Sequence, residues 1–102
     1  MDPANERETG QSPVELKKNC TIMNKLGLHA RAAALFVQTA NSFPCEIFFG
    51  KDGNEVNGKS ILGILTLSAS KGTHVSVRAV GTNAEAAIDR LCELIENKFG
   101  EE

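Results

Sequence analysis

Tryptophan and tyrosine are absent from this chain, and its aromatic content is five phenylalanines in 102 residues. Core volume must therefore come from Leu, Ile, Val and those five rings. A sheet that stacks nucleobases needs paired aromatics on one face. Phe48 and Phe49 are adjacent, so on a strand they point to opposite faces and make no such platform. A basic excess is also missing: 11 Lys and Arg against 13 Asp and Glu give a formal net charge of −2. Nucleic acid and anionic membranes select basic surfaces, so neither is expected as a main partner. Cysteine is scarce. Cys20, Cys45 and Cys92 are odd in number and contain no C-x-x-C pair. They read as small hydrophobes in a reducing, cytoplasmic setting, with neither a disulfide framework nor a metal site expected. No apolar run reaches the length of a membrane span, and no basic stretch followed by an apolar one marks a signal peptide.

What is present is enough for one small domain, since 41% of the residues are hydrophobic. The opening stretch has little to bury and holds Pro3 and Pro13, so residues 1–18 are expected as a mobile tail and 19–102 as the folded domain. Cys20–Met23 reads as a strand. Residues 30–41 read as a helix with Ala33, Phe36, Val37 and Ala40 on its core face, stopped at Pro44. Glu46–Phe49 and Glu55–Asn57 flank an Asp52-Gly53 hairpin signal. Ser60 opens a second helix, expected to run about ten residues to Ser70, with Gly72 as its stop. Thr73–Ala79 alternates, with Val75, Val77 and Ala79 on one face and His74, Ser76 and Arg78 on a solvent face. Thr82-Asn83-Ala84-Glu85 has capping-box spacing before a last helix expected to reach Phe99. The order β-α-β-β-α-β-α predicts an α+β two-layer open-faced sandwich, a four-stranded antiparallel sheet covered on one face by three helices.

The chemistry concentrates in Gly27-Leu28-His29-Ala30-Arg31-Ala32-Ala33-Ala34. A helix starts here without Ser, Thr, Asp or Asn as its cap, so its first N–H groups are expected to be free. Free donors, the positive end of the helix and the Arg31 guanidinium favour an anion. A neutral imidazole at His29 is a nucleophile that can carry a phosphoryl group without a separate general base. The plainer alternative is a loop histidine beside a solvated arginine. Ser60 is a good N-cap whatever else it does. The short helix after it cannot bury all of Ile61, Leu62, Ile64, Leu65 and Leu67, so Ile61, Leu62 and Leu65 are candidates for a docking surface.

Gly27–Ala33 resembles the active-site signature of the HPr phosphocarrier family of the bacterial phosphoenolpyruvate-dependent phosphotransferase system. Lys59-Ser60-Ile61-Leu62-Gly63-Ile64-Leu65-Thr66-Leu67 resembles the family's second signature, around its regulatory serine. The resemblance covers about residues 18–99. It implies a carrier, not an enzyme. His29 would accept phosphate from phosphorylated enzyme I, on Nδ1, and pass it to an EIIA-type protein, with Arg31 stabilising the phosphohistidine. Ser60 would be the target of an HPr kinase/phosphorylase, and the first two helices the partner surface. No cofactor is implied, and a monomer is expected. Ala32 departs from the proline of the best-known members, which leaves a sugar-uptake or a nitrogen-regulatory branch open. A second reading is a regulatory docking protein controlled by Ser60 phosphorylation or by nitrogen-branch signalling. A third, an RNA-binding sheet, is disfavoured by the acidity and the missing aromatics.

Overall fold

The computed structural model describes residues 14–101. Strand β1 (Glu15–Thr21) leads to helix α1 (Ala30–Asn41), strands β2 (Glu46–Lys51) and β3 (Asn54–Asn57), and helix α2 (Ile61–Leu65). Strand β4 (His74–Val80), helix α3 (Ala84–Glu96) and a 3-10 turn (Lys98–Gly100) follow. The four strands lie in the order β1-β4-β2-β3, every pair antiparallel. This is the α+β sandwich that the alternating and helical patterns predict.

The core lies between one sheet face and the helices. Ile47 and Phe49 of β2 and Val75, Val77 and Ala79 of β4 point into it. Phe36 of α1 meets Phe49 edge-on, ring centroids 5.2 Å apart. Leu91, Cys92 and Ile95 of α3 are also fully buried. The other sheet face is polar. There the Arg78 guanidinium lies 4.2 Å from the centre of the Phe48 ring and pairs with Glu55 at 2.7 Å and Glu15 at 3.2 Å. Hydrogen bonds from Arg78 hold the Glu55 carboxyl below the usual carboxylate range. His74, on this exposed side, shares a hydrogen bond with Thr21 Oγ1 at 3.0 Å.

Four local expectations change. The sheet begins at Glu15, so residues 15–18, expected in the tail, belong to the domain. The side chains hide this strand because Glu15 through Asn19 are all exposed. What makes it a strand is backbone pairing with β4, from Glu15 opposite Val80 to Thr21 opposite His74. Residues 1–13 of the expected tail lie outside the described residues. Helix α2 has five residues rather than ten. Thr66 Oγ1 donates to the Gly63 carbonyl at 2.6 Å, and Ser68 turns into the left-handed region at φ 52°, so the chain leaves the helix before Gly72. The expected capping box does not form: Asn83 is the N-cap of α3, in the left-handed region, and makes no side-chain cap bond. Finally, α3 stops at Glu96, because Lys98 and Phe99 take φ of 60° and 55° and reverse the chain.

Candidate functional site

Helix α1 is launched by a turn that only glycine fits. Gly27 has φ +69°, and a Cβ there would sit 2.8 Å from the Ala69 carbonyl oxygen and 2.9 Å from Ser70 Cα. Leu28 donates its N–H to that same Ala69 oxygen at 2.8 Å and buries its side chain. His29 follows in extended conformation and is itself the N-cap of α1. Its Nδ1 accepts the Arg31 N–H at 3.3 Å, and its carbonyl accepts from Ala33 N–H at 2.8 Å. The expectation of an uncapped start is thus corrected. The helix does have a side-chain cap, and the cap is the imidazole.

A nitrogen that accepts an N–H must carry a lone pair, so Nδ1 is the unprotonated nitrogen and Nε2 holds the hydrogen. Nε2 faces Glu101 Oε2 at 2.6 Å, the geometry of a strong charge-assisted hydrogen bond. The other carboxylate oxygen, Oε1, accepts from Asn24 Nδ2 at 3.0 Å. Asn24 is fully buried, and its Nδ2 also donates to the Gly27 carbonyl at 2.6 Å. One amide therefore ties the glycine turn to the carboxylate that holds the imidazole. Burial pushes the Glu101 carboxyl up, but hydrogen bonds from Asn24 and His29, with the charge of Arg31, outweigh it and hold Glu101 below its ordinary value. Glu101 reaches His29 because buried Phe99 anchors the left-handed reversal after α3 and the Glu101 N–H donates to the Lys98 carbonyl at 2.8 Å.

Arg31 is exposed in the first turn of α1. An open depression of about 680 Å³ beside it is lined by Lys25, Leu26, His29, Arg31, Gly100 and Glu101. Two of these residues, Lys25 and Arg31, are cations beside an unprotonated nitrogen at a helix start, so the depression can receive a phosphoryl group and donate hydrogen bonds to its oxygens. Sequence reasoning found His29 and Arg31 and missed Lys25, Asn24 and Glu101. Nothing in residue spacing ties Glu101 to a histidine 72 positions earlier.

Ser60 is placed as expected. It is the N-cap of α2, and its Oγ accepts from Gly63 N–H at 3.0 Å. Ile61 and Leu62 are exposed at 40% and 77%, whereas Leu65 is half-buried against the core. Two further apolar side chains, Met23 and Leu26, are exposed in the loop that leads to His29. The segment after α2 comes close: Ser68, Ala69 and Ser70 share a shallow hollow with Leu26, Leu28 and His29. The structure brings the His29 turn and the end of the α2 segment into one surface.

The profile of the family described as "PTS HPr component phosphorylation site" matches residues 16–97. The chain belongs to the HPr family. Among its relatives, the phosphocarrier protein HPr of Neisseria meningitidis is 45% identical over 86 residues, 84% of this chain and 97% of that protein. The crystal structure of an HPr from Thermoanaerobacter tengcongensis superposes with a TM-score of 0.82 at 52% identity, covering 85% of this chain and 98% of the other. Crh of Bacillus subtilis, the catabolite repression HPr, is 34% identical with a TM-score of 0.67, over 95% of this chain and 97% of that one. That structure is described as a domain-swapped dimer. HPr proteins are phosphocarriers of the phosphotransferase system and not enzymes. Among the described residues no helix is long and apolar enough to cross a membrane.

Proposed function

We propose that His29 accepts a phosphoryl group on Nδ1 from phosphorylated enzyme I and passes it to an EIIA-type protein. The observation that carries this reading is the orientation of the imidazole. Nδ1 points its lone pair into the first turn of α1 while Glu101 holds Nε2–H at 2.6 Å. In the forward step the Nδ1–P bond forms as the donor's N–P bond breaks. Positive charge then grows on the imidazole ring, and the Glu101 carboxylate stabilises it. The Arg31 N–H, released from Nδ1, becomes available to a phosphoryl oxygen, together with the Arg31 and Lys25 side chains. Transfer onward reverses these changes, with the acceptor nitrogen as the attacking group. The exposed side chains of Ile61 and Leu62 on α2 and of Leu26 and Met23 before His29 suit docking of both partners, while Leu65 is half-buried against the core. In this reading the protein works in the cytoplasm as a monomer.

The test is direct. Incubation with enzyme I and phosphoenolpyruvate should add one acid-labile phosphate per chain, and His29→Ala should add none. Uptake by His29→Ala would overturn the assignment. Relative transfer rates to sugar-type and nitrogen-type EIIA proteins then assign the branch. A second reading, regulatory docking, is favoured by Ser60. A phosphate on its Oγ, placed there by an HPr kinase/phosphorylase, would put negative charge at the N-terminus of α2, next to the exposed Ile61 and Leu62. The Crh likeness supports that reading and makes a dimer its expected form. A complex formed by the Ser60 phosphoform and not by the unmodified chain would favour it.

A further inference from the structure

Two of the three cysteines meet inside the domain, away from His29. Cys20 lies near the end of β1 and Cys92 on the buried face of α3, 72 positions apart, with their sulfurs in hydrogen-bond contact at 3.0 Å. Both are free thiols, 6% and 1% exposed. A disulfide needs the sulfurs at about 2.05 Å, so closing the pair calls for a movement of about 1 Å. Cys45, also free and buried, makes no such contact with either of them among the described residues.

We infer that Cys20 and Cys92 are a reversible disulfide site, closed by thiol–disulfide exchange with a small-molecule disulfide, which locks the first strand of the sheet onto the last helix. The two thiols differ in a way that suits ordered exchange. The hydrogen bond with Cys92 lowers the Cys20 thiol against the opposing effect of burial, whereas hydrogen bonding and burial both push the Cys92 thiol up. Cys20 is also the more reachable, because β1 is an edge strand with exposed side chains along most of its length. Edge strands open locally at lower cost than central ones. In the first step the Cys20 thiolate attacks one sulfur of the incoming disulfide, the Cys20–S bond forms, and one thiolate leaves. In the second, Cys92 loses its proton and attacks the Cys20 sulfur, and the second small thiol leaves. The net change is two protein thiols and one disulfide giving one protein disulfide and two small thiols, with no other oxidant needed.

The consequence follows from position. The sheet holds β1 only through β4, and α3 covers it from the core side. A covalent bond between β1 and α3 closes a loop of over seventy residues and prevents β1 from leaving its own sheet to exchange into that of a second chain.

The experiment treats the folded, full-length protein with oxidised glutathione and measures the intact mass, thiol content and Tm. The expected product loses two hydrogens, and peptide mapping without reduction finds one cross-link between Cys20 and Cys92. Cys45→Ser should behave in the same way, and Cys92→Ser should not form the link. The linked chain should melt higher by on the order of 10 °C and revert with dithiothreitol. Peptide mapping of the unsubstituted chain decides the matter even where a cysteine variant folds poorly. A link through Cys45, stable glutathione adducts, or links only between chains would overturn the site. A Cys20–Cys92 link that leaves Tm unchanged would overturn the locking role.

Discussion

In the proposed transfer, Glu101 acts on His29 in two opposed ways. Its carboxylate attracts the positive charge that grows on the imidazole, and it repels the incoming phosphoryl oxygens. Distance decides between them: Oε2 is 2.6 Å from Nε2, while the proposed phosphoryl acceptor, Nδ1, is on the side of the ring that faces the helix. Coulomb energy falls with distance, so the attraction wins. Glu101→Gln keeps a hydrogen-bond acceptor and removes the charge. Replacing a charge-assisted bond by a neutral one loses about 1–1.5 kcal/mol, so phosphorylation by enzyme I should slow by about tenfold in rapid-mixing kinetics. An unchanged or faster rate would show that repulsion dominates. The same residue makes a pH prediction. Its folded carboxyl lies below the ordinary value, so the unfolded chain binds more protons in the interval between them. The stabilisation is complete above the unfolded value of about 4.3 and is lost as pH falls through the lower folded one. The Tm difference between the parent chain and Glu101→Gln should therefore shrink on acidification below about pH 5.

At the scale of elements, the turn before α1 is the least replaceable piece. Gly27→Ala forces a side chain into a left-handed position and against the Ala69 carbonyl, a contact of 2.8 Å. A loss of about 2 kcal/mol or more is expected, seen as a Tm drop on the order of 10 °C, with weakened phosphorylation because the His29 cap shifts with the turn. A drop of only a degree or two would mean that the turn relaxes freely. This element also shows what the sequence made legible. Gly27, His29 and Arg31 lie within five residues, so their shared turn could be read locally. The identity of the cap could not, because imidazole is outside the usual capping set and its role depends on Nδ1 being turned inward. β1 was hidden for a related reason: its exposed side chains carry no pattern, and its partner, β4, lies more than fifty residues on. The length of α2 is not legible because Leu67 and Ala69 continue an apolar run that Thr66 breaks through its side-chain hydroxyl and Ser68 through its left-handed backbone.

Across the whole molecule the two layers divide the work. The polar sheet face is closed by its own charges, with Arg78 held by Glu55, Glu15 and the Phe48 ring. The helical side leaves apolar side chains uncovered, Leu62 of α2 at 77% exposed and Leu26, beside His29, at 69%. A side chain that exposed contributes little to stability, so changes there read out docking rather than folding. Leu62→Asp places a negative charge on that surface while leaving Ser60, Gly63 and the buried Ile64 in place. Tm should move by no more than a few degrees. The KM of the chain as a substrate of enzyme I should rise by about tenfold with kcat nearly unchanged, the pattern of lost binding rather than altered chemistry. A fall in kcat with constant KM would place α2 in the transfer step itself. No change in either would mean that the donor approaches His29 from the Lys25 and Glu101 side.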